Sequence, residues 1–346
     1  MVQSLLVALR KSSPWRPEIL NVFPPAAIPG GEFQIRGKAL VGAERPEVRF
    51  GDTAAPIVIG SDSYVVVRVP EGASNGEMFL GPNGGAAWTC QIGVQIADGV
   101  HPVSNPVVDR HGNIYTTLSG SAGQKTPASV YKIDGNLNAK PMVTDIMNAT
   151  GLALDAEGAL YVSSRHDGVV YQVSPGGGHV SYVEGMGVAT GIVFDDADNL
   201  YVGDRSGTIF KISRERQIYV FATIEPSLAA YHLAFGPDSY LYVTGPTTSS
   251  FDSVARISRE GHVERFYRGL GRPQGMAFDA KGNLYVASSL AGRRGVARIT
   301  PDAKAELFLS GPSIVGLAFA PSKSLILATS STLYRAHVGI EGRRTP

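Results

Sequence analysis

One cysteine, Cys90, stands in a chain of 346 residues, so no intrachain disulfide can form and thiol usage does not mark an oxidising compartment. Charge of one sign is lacking too. Lys and Arg number 31 against 30 Asp and Glu, a formal net charge of +1. That excludes the basic bias of a nucleic-acid binder or a membrane-surface protein, so neither partner is expected. Long hydrophobic runs are missing. The N-terminal MVQSLLVALRKSSP carries only five apolar residues in a row, Leu5 to Leu9, with no basic residue ahead of them. This is too short and wrongly flanked for a signal peptide or a membrane span. A cytoplasmic protein is expected, unless the true start lies further upstream and carries an export signal. Catalytic signatures are also absent: there is no Gly-x-Ser-x-Gly elbow, no His-Glu-x-x-His and no cysteine pair for zinc.

Glycine and proline are plentiful, at 41 and 22, with 43% hydrophobic residues, a composition that suits a turn-rich all-β protein. Two stretches, RGLGRPQGMAFDAKGNLYV (268–286) and EGMGVATGIVFDDADNLYV (184–202), place glycines before an apolar run. A dinucleotide fingerprint needs a helix after the glycines, whereas here a second strand follows tightly after a turn. The stretches are instead two copies of a repeat. The copies start at residues 104, 150, 190, 231, 274 and 315, spaced 46, 40, 41, 43 and 41 apart. The shared pattern is an apolar strand, an Asp-x-x-Gly-Asn-like turn, a Leu-Tyr-Val-like strand and, in all but the last unit, two further alternating strands. A period near forty with four strands per unit predicts a six-bladed β-propeller.

The last unit ends without a fourth strand, whereas CQIGVQIADG (90–99) has that pattern and no blade of its own. Residues 90–99 are therefore expected to complete the last blade and close the ring. Ahead of them, residues 17–89 show short strands split by Pro-Gly turns, which predicts a small immunoglobulin-like β-sandwich. The expected organisation is an N-terminal segment over 1–16, the sandwich over 17–89 and the propeller over 90–346. Gly37-Lys38 lacks both the earlier glycine (Glu32 stands there) and the following Ser or Thr (Ala39) of a phosphate-binding loop.

Through PxIxxxxPxxxxPGG, FxIxGxxL, VxFGD and VxVPEG, the first region resembles the IPT/TIG immunoglobulin-like fold. Through GxAFDxxGNLYV the repeats resemble the NHL family and the related senescence-marker and gluconolactonase-like propellers. That resemblance implies a lactonase, a lyase, another hydrolase or a binding scaffold. In the lactonase-like branch it also implies an axial divalent metal held by Glu, Asn and Asp at the head of first strands. The matching column here is Ser104, Thr150, Thr190, Tyr231, Gln274 and Val315, with no carboxylate, so no metal and no cofactor are expected.

The position after that column is glycine in four units (Gly151, Gly191, Gly275, Gly316), but Asn105 and His232 in the other two. A local role is expected for both, although the imidazole of His232 can equally fill the axis as a structural group. Arg165 and Arg205 occupy equivalent second-to-third loops of adjacent units, where two guanidiniums suit a carboxylate or phosphate. They can alternatively be surface partners of Asp167, Asp204 and Asp252. Lys125, Arg293, Arg294, His101 and His166 lie on neighbouring loops. The resulting candidates are His232 and Asp204 for catalysis, with Asn105, Thr150, Arg165, Thr190, Arg205, Tyr231, Gln274 and Arg293 for ligand binding. The expected ligand is an anionic small molecule or carbohydrate, or a protein partner; a hydrolase or lyase acting on a sugar acid or lactone is the alternative. The turn aspartates (Asp109, Asp155, Asp195, Asp279) are expected to cap hairpins.

Overall fold

The computed structural model describes residues 15–42, 46–73, 76–81, 85–120, 124–249 and 251–343. The run Leu5 to Leu9 and residues 121–123 of the Lys125 loop fall outside these. Every regular element is a β-strand, and among the described residues no helix is long and apolar enough to cross a membrane.

The repeats fold into antiparallel sets of four strands, the fourth and fifth sets being hydrogen-bonded to each other where Leu270 and Gly271 pair with Leu290 and Ser289. The first comprises β11 (Val107–Val108), β12 (Ile114–Thr117), β13 (Val130–Ile133) and β14 (Ala139–Val143). Next come β15 (Ala149–Leu154), β16 (Leu160–Ser164), β17 (Val169–Val173) and β18 (His179–Val183). The third holds β19 (Ala189–Phe194), β20 (Leu200–Asp204), β21 (Thr208–Ile212) and β22 (Ile218–Thr223). It is followed by β23 (His232–Phe235), β24 (Leu241–Thr244), β25 (Asp252–Ile257) and β26 (Val263–Gly271). The fifth contains β27 (Met276–Phe278), β28 (Leu284–Leu290), β29 (Arg293–Ile299) and β30 (Ala305–Ser310). The last has β31 (Ile314–Ala320), β32 (Ser324–Thr329) and β33 (Thr332–His337), with β10 (Val94–Asp98) as its outer strand. Inner strands pack side by side about an axis, β11 against β15, then β19, β23, β27 and β31, which returns to β11. The architecture is an all-β propeller.

Closure runs through β10, antiparallel to β33 with Val94 opposite Arg335 and Asp98 opposite Thr332. The closing strand is shorter than the 90–99 expected. Residues 90–92 belong to β9 (Ala86–Ile92), which pairs with β8 (Gly76–Leu80) in a different sheet. Gly93 makes the break: its N–H donates to Ala27 O at 2.8 Å, and a Cβ there would stand 2.7 Å from Ile28 Cγ2.

Before the ring lie two packed sheets. One orders β1 (Glu18–Phe23), β3 (Glu32–Lys38), β7 (Tyr64–Arg68) and β6 (Ile57–Gly60). The other joins β9 and β8 to β4 (Val48–Phe50) and β5 (Thr53–Ala55). Phe33, Ile35, Val65, Val67, Met78 and Leu80 are buried between them, the alternation that a half-buried strand requires. The short β2 (Ala26–Ala27) runs parallel to both β9 and β30, so these sheets are hydrogen-bonded to the outer strand of the fifth repeat.

The repeat motif explains itself. Asp279 accepts backbone bonds from Lys281 (2.9 Å) and Asn283 (2.8 Å), a side-chain bond from Asn283 (2.8 Å) and one from the Tyr285 hydroxyl (3.2 Å). Asp109 and Asp195 do the same within their own turns. Burial alone would raise the Asp109 pKa, but the bonds from Asn113, His111 and Tyr115 outweigh it and hold the carboxyl below its usual range. The tyrosine ring then clasps the neighbouring sheet. Tyr161 stands edge-on to Tyr182 of its own outer strand (5.0 Å) and Phe194 of the next inner strand (4.7 Å). Tyr201, Tyr242 and Tyr285 repeat this with Phe235, Phe278 and Phe319. Each such pair contributes about 0.5–1.5 kcal/mol beyond its buried area.

Candidate functional site

The head of each inner strand is sewn to its neighbours. Ser104 Oγ donates to Thr150 O (2.8 Å), Thr150 Oγ1 donates to Asn148 O (2.9 Å), and Thr190 Oγ1 donates to Gly203 O (2.7 Å) while accepting from Tyr231 N (3.1 Å). The Tyr231 hydroxyl donates to Glu225 O. Gln274 is held by its backbone carbonyl, which accepts from Thr244 Oγ1 at 2.5 Å. Thr150, Thr190 and Tyr231, expected to bind ligand, thus use their hydroxyls within the protein. These residues do not fit the divalent metal that the lactonase-like resemblance implies. The column offers no carboxylate, and among the described residues no three His, Cys, Asp or Glu side chains come together.

One residue further on, the inner strands touch. A Cβ at Gly151 would lie 2.3 Å from Thr190 O, and one at Gly316 would lie 2.3 Å from Ser104 O. Glycine is required by backbone contact. Asn105 fills the space these glycines leave: its Nδ2 donates to Met276 O (2.9 Å) and its Oδ1 accepts from Leu317 N (3.1 Å). The amide is therefore spent on holding β27 and β31, not free for a ligand.

Below the glycines, toward the Asp-x-x-Gly turns, lies an axial cavity of about 170 Å³ lined by the inner strands. Its wall carries the apolar side chains Leu152, Ile192, Leu233, Ala234, Ala277 and Ala318 beside a nearly equal share of polar surface. His232 also lines it, only 2% exposed. Among the described residues nothing hydrogen-bonds the imidazole, and burial lowers its pKa to about 3, so the ring is neutral at physiological pH. At the turn end the chain returns. Glu341 O accepts from Ala280 N (2.9 Å), Arg343 N donates to Phe278 O (2.9 Å), and the Arg343 guanidinium reaches Phe235 O. Arg343 completes the lining.

The arginines stand at the opposite end. Arg165 N donates to Asn148 O, placing it three residues ahead of Gly151 and roughly 10 Å from the cavity at about 3.3 Å per strand residue. Arg205 occupies the equivalent place, its N donating to Val188 O (3.2 Å). Burial first, and then the Arg205 charge, pushes the Arg165 pKa down, so the two guanidiniums lie close enough to repel. Arg165 Nη2 donates to Gly120 O (3.2 Å), but neither arginine forms an ion pair among the described residues. The surface pairing considered with Asp167, Asp204 or Asp252 does not occur.

The sequence-based candidates thus separate instead of converging. His232 and Asn105 share the axial cavity, whereas Arg165 and Arg205 share the loop end and are absent from its lining. Asp204 shapes the arginine loops, accepting from Val188 N (2.9 Å), Ser206 N (3.3 Å) and the Ser206 hydroxyl. Arg293 is directed elsewhere, donating to the Tyr64 hydroxyl of β7 at 3.0 Å. His101, His166, Lys125 and Arg294 are exposed. Sequence reasoning missed Arg343, which lies outside every repeat. The cavity wall did carry a signal, the alanine recurring two residues after the glycine row (Ala153, Ala277, Ala318).

No family model and no curated protein sequence matches the chain. Solved structures do match. A gluconolactonase from Xanthomonas campestris superposes with a TM-score of 0.59 at 14% identity, over 71% of this chain and 89% of that one. An auxiliary nutrient binding protein from Bacteroides thetaiotaomicron gives 0.56 at 12%, over 92% and 97%. A virginiamycin B lyase from Staphylococcus aureus gives 0.52 at 12%, over 84% and 99%. At such identities the likeness is one of fold, and the chain has the propeller fold of these gluconolactonase-like and related proteins.

Proposed function

We propose that the protein is a small-molecule-binding propeller of six blades on residues 90–346, preceded by an IPT/TIG-type immunoglobulin-like sandwich on 17–89. Its loop-end face holds an anionic small molecule, a sugar acid or sugar phosphate, between Arg165 and Arg205. One observation carries this reading: two neighbouring guanidiniums repel each other, and neither has a carboxylate partner. An anion bridging them would relieve that repulsion and accept charge-assisted bonds in a planar, bidentate geometry. The nutrient-binding neighbour supports binding as a use of this fold, and its match over 92% of the chain extends to the sheets ahead of the ring.

A hydrolase or lyase built on His232 and Asp204 is the weaker reading, although gluconolactonase and lyase folds are among the neighbours. A general base works best with a pKa near the operating pH, and that of His232 lies at about 3. Both carboxylate oxygens of Asp204 already accept bonds from Val188 or Ser206.

The test is calorimetric titration with sugar acids and sugar phosphates. Arg205→Ala should weaken binding by about tenfold or more, since a charge-assisted bond is worth about 1.5–3 kcal/mol. Thermal stability should barely change, because Arg205 is exposed and unpaired. Equal affinity in both proteins, or no binding of any such anion, refutes the reading.

A further inference from the structure

We infer that the axial cavity is a second, separate binding site, one for a small uncharged ring that carries a hydrogen-bonding group. Size sets the first limit. At about 170 Å³ the cavity exceeds an apolar cavity of about 150 Å³ that accommodates benzene. A six-membered ring with one small substituent fits, and a disaccharide does not.

The wall sets the second limit. Leu152, Ile192 and Leu233, with the small Ala234, Ala277 and Ala318, offer a nonpolar surface to a ring's faces. The small residues are what keep the space open. Other polar groups at the top of the cavity are already used. Asn105 binds Met276 O and Leu317 N, and Ser104 binds Thr150 O.

His232 sets the third limit. It is 2% exposed, lines the cavity and has no hydrogen-bond partner among the described residues. Facing the cavity, the imidazole is open to a partner that occupies it. A neutral imidazole has one donor and one acceptor nitrogen, so it can pair with a hydroxyl, carbonyl or N–H of a guest. The repeat would put glycine at this position, as at Gly191, so the imidazole replaces a hydrogen there. The imidazole, neutral far below physiological pH, offers an anion no charge; the one charged side chain in the lining, Arg343, lies at the turn end with its guanidinium bonded to Phe235 O. There Arg343 borders the cavity, bonded to the Phe235 and Phe278 carbonyls.

The experiment uses the full chain with phenol and benzene as probes, followed by calorimetry and by chemical shifts of the His232 ring. Phenol should bind with perturbation of the imidazole resonances, and more tightly than benzene. His232→Phe keeps a ring of similar size but removes the hydrogen bond, so the phenol-over-benzene preference should fall about threefold to tenfold. Ala277→Leu fills the space and should abolish binding of both; Ala318→Leu serves if that variant does not fold. Arg205→Ala, at the other end of the axis, should leave phenol affinity unchanged, which keeps this outcome distinct from that of the anion site. Absence of phenol binding to the wild type, binding that survives the filled cavity, or an unchanged preference in His232→Phe overturns the assignment.

Discussion

Replacing Asn105 tests whether the propeller is held together at its axis by one amide. Asn105→Ala removes two hydrogen bonds, one to Met276 O at 2.9 Å and one from Leu317 N at 3.1 Å. Each is worth about 1 kcal/mol net, and a backbone group left unpaired in a buried setting costs about 1–3 kcal/mol. Alanine cannot reach either partner, and the space left by Gly275 and Gly316 stays unfilled. A loss of about 2–4 kcal/mol is expected. Urea unfolding followed by far-ultraviolet circular dichroism should show a lowered midpoint at unchanged slope. Asn105→Asp has the same shape and keeps the acceptor for Leu317 N, but sets a carboxylate oxygen against the Met276 carbonyl. It should therefore not rescue stability. An aspartate variant within about 0.5 kcal/mol of wild type would mean that Asn105 only fills space, and would refute the reasoning.

Two further outcomes follow from the same structure. The His232 pKa is lowered from 6.5 to about 3 on folding, so the unfolded chain takes up the proton first as pH falls, and stability is lost between those values. On moving from pH 7.5 to pH 5, His232→Phe should lose about 2 kcal/mol less stability than wild type, at about 1.4 kcal/mol per pH unit below 6.5; equal losses would contradict burial of a neutral ring. A fragment starting at residue 94 retains β10 and should close its ring, whereas one starting at residue 99 leaves β33 as an exposed edge strand and should aggregate. Cooperative, soluble unfolding of the shorter fragment would show that closure does not depend on β10.

The repeat was legible because each of its residues has a local task. Asp279, Asn283 and Tyr285 satisfy one another within seven residues, so spacing alone exposes them. The closing strand was legible as a pattern, but its start was not, since Gly93 breaks the run by contact with Ile28, which the sequence places far away. Candidate site residues were found as types but misjudged as an assembly. His232 and Arg205 both sit near the axis of the repeat pattern, yet strand register sets them at different depths, His232 within the glycine row and Arg205 opposite Val188, three residues nearer the loop end. Arg293 looked like another loop cation because its partner, Tyr64, is 229 residues away. Arg343 belongs to no repeat, so periodicity had nothing to say about it.

The aromatic clasps have a consequence for how the ring comes apart. Tyr161, Tyr201, Tyr242 and Tyr285 each lock one joint to the next. Two joints have no such ring pair among the described residues: that between the first repeat and the second, where Tyr115 meets Leu152 and Leu154, and that between the last repeat and the first, where Ile326, Ile114 and Val108 meet in an aliphatic cluster. In the last repeat the beginning and end of the propeller chain are tied by the single pairing of β10 with β33. Opening at either of these joints leaves the second to the last repeats, joined by the four ring pairs, as an intact arc. Since β10 follows directly from β9 through Gly93, and β2 ties β9 to β30, the segment ahead of the ring works as a drawstring. Cutting it would therefore act on the last sheet through β10 and on the fifth through β2.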